Sequence, residues 1–236
     1  MRVFFRAWCL WEIYCTHFTG SKLEVAVPAD ESAGFEAAFL RNFESVNALI
    51  AAVDVRRSEA FNAQDRALIF EVVERCVGYD AINKAIHERL RDWLMSYALS
   101  AVGKADKSNP ETFKLQDRVA DLIGMYGHGR ERFEVIKGLR LEALGQRDAL
   151  FGRNHPEALE SKNSVGHMLM NNPSVNAVDA NQGLAMLEEV LAARLEMLGP
   201  HHPDTLKSMQ MLAFDMLNCS NTASQDLGRV FCILHL

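Results

Sequence analysis

Apolar residues recur at helical spacing along most of the chain, and the clearest pattern lies between positions 109 and 217. Leu115, Val119 and Leu122 form one stripe, and Met209 and Leu212 belong to another. Spacings of three and four positions place side chains on one face of an α-helix. The pattern therefore predicts a series of amphipathic helices in this half of the chain.

Three prolines mark a repeat within this region. Pro110, Pro156 and Pro203 are separated by 46 and 47 positions, and each precedes an acidic residue and, three positions on, a large apolar residue. Proline suits the first turn of a helix because the N–H that it lacks has no partner there. The acidic residue complements the positive end of the helix dipole. Each proline therefore predicts the start of a helix.

A second helix is predicted in each of the two complete units, over residues 132–151 and 182–198. Their ends match at a shift of 47, which pairs Arg147 with Arg194, and a glycine follows each helix, as expected just past a helix end. Such pairs bury their apolar faces against the next pair. Small residues occupy one matched position in the three first helices, where a neighbouring helix can approach closely: Ala120, Gly166 and Ala213.

The segments ALGQRDALFGRNHPEAL (143–159) and LAARLEMLGPHHPDTL (191–206) resemble the helix junction of kinesin-light-chain-type tetratricopeptide repeats. The resemblance covers just under half of the chain. It implies a mainly α protein, with an α-solenoid of helix pairs over residues 105–236: two full units and an incomplete third. The general repeat has about 34 residues. The extra residues of this longer copy are expected in the turns near 127–130 and 171–174.

In that family, the inner face of the first helices forms a groove that grips extended peptides, often through asparagine side chains. The resemblance implies a non-catalytic scaffold that binds a partner protein or peptide and needs no cofactor. Asn163 matches an asparagine position of the groove, whereas the other units have Asp117 and Gln210 there. The predicted groove residues are Asp117, Lys162, Asn163, Lys207 and Gln210.

The first hundred residues have a different pattern. Apolar segments over 23–28 and near 49–55 predict short strands. Strands that alternate with helices indicate an α/β layer. We therefore expect a partial α/β segment over residues 1–60 and a helical connector over 61–104. Helices are predicted over residues 8–15, 32–43, 62–76 and 80–101.

Residues 7–13, AWCLWEI, resemble the Trp-Cys-Leu-x-Glu-Leu box of plant-type Toll/interleukin-receptor (TIR) domains. In catalytic members the matching glutamate acts in NAD cleavage, and Glu12 stands at that position. The alternative function is thus a signalling protein with a TIR-like NAD-cleaving domain fused to repeats. Because few residues precede the box, we expect that the sequence begins inside a domain and that Glu12 is a helix-surface carboxylate.

Charge and composition narrow the range of functions. Hydrophobic residues make up 49% of the 236 residues, which is ordinary for a globular protein. The net charge of -6 gives no global electrostatic attraction to nucleic acid or to an anionic membrane. No segment has the ~20 apolar residues of a membrane helix. Five scattered cysteines fit a reducing compartment, and we expect a cytoplasmic protein. Cys9, Cys15 and His17 lack the second ligand pair of a zinc finger, so no metal site is predicted.

The last ten residues, LGRVFCILHL (227–236), follow the third first helix and are mostly apolar. Two alternatives remain open for them: a shortened second helix, or a truncated reading frame. An array without a polar cap exposes apolar surface. Self-association through the C-terminal end is therefore a further expectation.

Overall fold

Within the residues that the computed structural model describes, the protein is mainly helical, with nine α-helices and no strand. The chain divides into two compact units, Met1–Gly103 and Lys104–Leu236, and each is described by itself. The described residues are 6–24, 43–126, 129–171 and 176–218.

In the first unit the helices pack around a core of aliphatic side chains. Leu10, Ile50, Ile69, Ile86 and Leu94 are all buried in it. A 3-10 turn and a π-turn connect the later helices, and α4 ends at the boundary between the units. The elements are α1 (Ala7–Thr19), α2 (Phe43–Ala51), the 3-10 turn (Val55–Arg57), α3 (Ala63–Val72), the π-turn (Val73–Val77) and α4 (Tyr79–Lys104).

The strand predicted near residues 49–55 is wrong. Val53 and Val55 are buried with Asp54 between them, an alternation typical of a strand, but here it arises from the end of α2 and the 3-10 turn. The side chain of Asn83 in α4 accepts the N–H of Val55 and donates to Asp54, both at 2.9 Å. A side chain from α4 therefore satisfies the backbone that a strand would have paired.

Three other predictions for the first unit are confirmed, and two fall largely outside the described residues. The helices predicted over 8–15, 62–76 and 80–101 are confirmed as α1, as α3 with its π-turn, and as α4. The predicted strand over 23–28 lies largely outside the described residues, and so does the predicted helix over 32–43.

The second unit contains three first helices, α5, α7 and α9, and two second helices, α6 and α8, in its described part. α8 begins five residues before the predicted start, because the Asn176 side chain accepts the Asp179 N–H at 2.8 Å and so caps the helix. The bounds are α5 (Pro110–Met125), α6 (Arg130–Phe151), α7 (Pro156–Asn171), α8 (Ala177–Leu198) and α9 (Pro203–Asn218).

The predicted helix boundaries at the prolines and glycines are confirmed. Each first helix begins at its proline, and the residue before the proline caps it. The Asn109 side-chain oxygen accepts the N–H two positions on at 3.0 Å, and Nδ1 of His155 and of His202 does the same at 3.3 and 3.2 Å. Gly152 and Gly199 follow the second helices with φ of 90° and 81°, a conformation that favours glycine.

Consecutive helices in this unit pack against one another: α5 on α6, α6 on α7, α7 on α8 and α8 on α9. α7 and α9 are also in direct contact. First helices have 16 residues and second helices have 22, so 38 residues of each complete unit are helical. The buried core includes Phe133, Val165, Leu169, Leu187, Leu191, Leu212 and Met216.

Two glycines set the distance between α7 and α8. A Cβ on Gly183 would stand 2.6 Å from the carbonyl oxygen of Gly166 and 2.9 Å from Cβ of Leu169. A Cβ on Gly166 would meet Leu187 Cγ at 2.9 Å. The close approach predicted from the small residue at position 166 is therefore confirmed, and it depends on a second small residue at position 183.

We predict that Gly183→Ala lowers the free energy of unfolding by about 1–3 kcal/mol, since the added methyl group meets backbone that cannot move aside alone. Gly138→Ala is the matched control, because Gly138 lies in α6 with open space around it. The control should raise stability by roughly 0.5–1 kcal/mol, the helix cost of glycine. Denaturant titration measures both, and equal shifts of the same sign would contradict the tight crossing.

Candidate functional site

Matched positions on the three first helices are grouped here as the first-helix face. Spacings of three and seven positions place its members on one side of each helix. It contains four of the five predicted groove residues, and the fifth, Lys162, is the neighbour of Asn163. Its members are Lys114, Asp117 and Asp121 on α5, Glu160, Asn163 and His167 on α7, and Lys207, Gln210 and Phe214 on α9.

Arg147 in α6 bonds to the part of the first-helix face that lies on α5. Its side chain is buried and forms a 2.5 Å ion pair with Asp117. It also donates to the Ser161 hydroxyl at 3.3 Å, and its guanidinium lies 4.3 Å from the centre of the Phe113 ring. Asp117 is thus engaged by an arginine of its own helix pair, which in turn bonds to the first helix of the next pair.

Arg194 in α8 repeats this arrangement one unit later. It is buried, forms an ion pair with Glu160 at 2.8 Å, and donates to the Ser208 hydroxyl at 2.7 Å. Lys207 also binds Glu160, at 2.9 Å. Burial tends to raise the pKa of Glu160, but the hydrogen bonds from Arg194 and Lys207 outweigh it and lower that pKa. The match of Arg147 with Arg194 was the sequence signal for these two bridges.

The predicted groove residues on α7 are engaged within the fold. Asn163 is only 1% exposed, and its amide nitrogen lies 2.9 Å from Sδ of Met211 in α9. Lys162 forms a 2.8 Å ion pair with Glu189 in α8. A peptide contact by either side chain stays a prediction, and in this arrangement the Asn163 side chain is closed off from solvent. Gln210 on α9 is exposed.

A buried carboxylate that the sequence analysis missed joins α7 to α9. Asp215 is 0% exposed, and it accepts hydrogen bonds from His167 Nδ1 at 2.8 Å and from Asn171 Nδ2 at 2.7 Å. The hydrogen bond to Asp215 raises the pKa of His167, although burial of the imidazole opposes the rise. No local motif signals this cluster, because its partners lie on different repeat units.

A second buried carboxylate joins the two second helices. Asp179 at the start of α8 lies 3.0 Å from Lys137 and 3.4 Å from Arg130, both in α6. Hydrogen bonds to Glu134 and Asp179 raise the pKa of Lys137 despite its desolvation. Hydrogen bonds and ion pairs thus join first helices to each other, second helices to each other, and the two helices within a pair.

The residues of the first unit that the sequence analysis singled out for chemistry lie on α1. Glu12, the candidate NAD-cleaving residue, is exposed there. Burial, and to a lesser extent the nearby Glu12 carboxylate, raise the pKa of the Cys9 thiol, which disfavours the thiolate needed for nucleophilic attack or metal binding. Among the described residues, no group of three or more His, Cys, Asp or Glu side chains could hold a metal ion.

Comparison of the sequence with protein-family models and with curated proteins gives no match. None of the described helices is both long and apolar enough to cross a membrane. The repeat pattern and the geometry of the first-helix face are therefore the features of this chain that point to a function.

We predict that Arg194→Met lowers the free energy of unfolding by about 1–3 kcal/mol, because it removes the buried donors of Glu160 and Ser208. Lys207→Met is the matched control, since it removes an exposed partner of the same carboxylate. That control should change stability by less than about 0.5 kcal/mol, as is usual for exposed ion pairs. Comparable losses in the two variants, measured by denaturant titration, would refute a special role for the buried arginine.

The cluster around Asp215 should make stability depend on pH. A pKa raised by folding stabilises the fold fully below the unfolded-state value, near 6.5, and this contribution disappears as the pH rises through the folded-state value. The stability difference between the wild type and His167→Gln should therefore be largest in mild acid and shrink towards alkaline pH. Denaturant titrations across this range test it, and a difference that stays constant with pH would contradict the assignment.

Proposed function

We propose that the second unit is a tetratricopeptide-type α-solenoid whose first-helix face binds a partner protein or peptide without catalysis. The regular lengths of the helices, their matched proline and glycine boundaries, and the packing of each helix on the next support a repeat architecture. The exposed side chains of the first-helix face, Glu160, Lys207, Gln210 and Phe214 among them, are the observation that carries the binding proposal. Scattered cysteines support a cytoplasmic location.

The exposed members of this face offer mixed chemistry to a ligand. Glu160 and Lys207 present opposite charges that are already paired with each other at 2.9 Å. Gln210 offers an amide that can donate to and accept from a peptide backbone. Phe214 is 60% exposed and offers an apolar ring on the same helix. This combination suits an extended peptide that places an apolar side chain against Phe214.

Contacts within the fold hold several of these side chains in place before a ligand arrives. Glu160 is fixed by Arg194 and Lys207, and His167 is fixed by Asp215. Side chains that are already ordered lose less conformational entropy on binding. We assign Asn163, which is buried, a supporting role beneath the surface, and we assign direct contact to Gln210 and Phe214.

The proposal is tested by cross-linked affinity capture with the full chain, followed by direct titration of any purified partner. Gln210→Ala combined with Phe214→Ala should weaken the partner's affinity by about tenfold or more, as expected when an anchoring side chain of an interface is removed. Val135→Ala combined with Met197→Ala is the matched control, because these exposed apolar residues lie on the second helices. The control should bind like the wild type.

A partner that binds the wild type and both double variants equally would refute the first-helix face as the binding surface. Circular dichroism of each variant establishes that the exposed substitutions leave the helices intact. A partner lost equally from both variants would also contradict the proposal, because binding would then not distinguish first helices from second helices.

A further inference from the structure

The buried carboxylate of Asp215 stands at a position where the preceding units have an apolar side chain. Asp215 is 0% exposed. One period earlier the matched residue is Met168, which packs against the apolar core, and two periods earlier it is Leu122, which is 2% exposed. Burial of a carboxylate costs free energy unless charged or hydrogen-bonding partners satisfy it. The packing of α9 therefore depends on the groups that satisfy Asp215.

Those groups are an imidazole and an amide, both on α7. Nδ1 of His167 lies 2.9 and 2.8 Å from the two oxygens of Asp215, and Nδ2 of Asn171 donates at 2.7 Å. Among the described residues, no lysine or arginine bonds to Asp215, whereas the buried Asp179 is paired with Lys137. A lysine keeps its charge around neutral pH, but a histidine gains or loses its charge there. The charge balance at Asp215 therefore changes with pH.

The imidazole of His167 can exchange its proton with solvent while α9 stays in place, because its side chain is 41% exposed. The hydrogen bond to Asp215 raises the pKa of His167, and burial opposes the rise. Other charged groups on this side of α5, α7 and α9, and on the second helices α6 and α8, are engaged in ion pairs of their own: Lys114 with Glu111, Asp117 with Arg147, Asp121 with Arg140, Glu160 with Arg194 and Lys207, Lys162 with Glu189, and Lys137 with Asp179.

A second polar anchor of α9 keeps its charge at any ordinary pH. Arg194 in α8 donates to the Ser208 hydroxyl at 2.7 Å, in the first half of α9. An arginine side chain does not lose its proton in proteins. Asp215 lies seven positions beyond Ser208, and the proposed ligand contacts Gln210 and Phe214 lie between the two anchors. The C-terminal end of α9 thus has a titratable anchor, and its first half has a permanent one.

We propose that protonation of His167 strengthens the attachment of the C-terminal end of α9 to α7 and thereby orders the segment that carries Gln210 and Phe214. The proton is taken up at Nε2, because Nδ1 already donates to the carboxylate. The resulting pair is charged on both sides, and such hydrogen bonds are the stronger ones. Since folding raises the pKa of His167, the attachment is strongest in mild acid and weakens as the pH rises through the folded-state pKa.

Hydrogen exchange of the full chain over residues 211–218 tests this attachment, expressed as protection factors that correct for the intrinsic effect of pH. From mild alkali to mild acid, protection of this segment should rise by about fivefold relative to α6, as charge-assisted hydrogen bonds exceed neutral ones. His167→Gln should abolish the rise. Asp215→Met installs the side chain of the preceding unit, and it should keep the segment protected at every pH. His201→Gln is the matched control, because it removes an exposed histidine, and it should behave like the wild type.

The same rise in the wild type and in His167→Gln would overturn the proposal. A rise of equal size along α6 would also overturn it, because the effect would then be on the whole unit and not on the end of α9.

A consequence for the partner rests on the proposed function: affinity at Gln210 and Phe214 should follow the protection of residues 211–218. A captured partner whose affinity stays constant while that protection changes with pH would overturn this coupling alone. A partner that binds independently of Gln210 and Phe214 would refute the proposed function and leave the attachment of α9 standing.

Discussion

The guanidinium groups of Arg147 and Arg194 fix the register on which the helix packing of the second unit depends. Each is buried near the end of a second helix, and each bonds to a carboxylate on the first helix of its own pair and to a serine on the first helix of the next. Apolar packing is non-directional and would tolerate sliding of one helix past another. A buried cation that loses its partners is strongly destabilising, so the arginines restrict that sliding.

This constraint also explains the character of the first-helix face. The carboxylates that satisfy the arginines, Asp117 and Glu160, belong to that face and are only partly exposed. The acidic groups on this face are therefore already paired with arginines of the second helices. The exposed residues that remain for a ligand to engage are concentrated on α9, where Gln210 and Phe214 lie one turn apart.

The sequence predicted the parts of the fold that short-range chemistry decides. A proline after a capping residue and a glycine with positive φ act within a few positions, so the boundaries of α5, α7 and α9 followed from local pattern. The hydrogen bond from His167 to Asp215 joins residues 48 positions apart, and no local pattern around either residue predicts it. The alternation of Val53 and Val55 led to a wrong strand prediction because the group that accepts the Val55 N–H belongs to Asn83 in α4, far along the chain.

Two exposed strips of α9 lie side by side. Lys207 and Phe214 are seven positions apart on one strip of the helix, whereas Leu206 and Leu217, eleven positions apart, lie on the neighbouring strip. Phe214 is 60% exposed, and Leu206 and Leu217 are exposed on the strip beside it. A partner at the first-helix face therefore meets an aromatic ring bordered on one side by polar groups and on the other by two leucines. Polar groups beside the ring favour a ligand that pairs an apolar anchor with hydrogen-bonding groups over non-specific apolar contact.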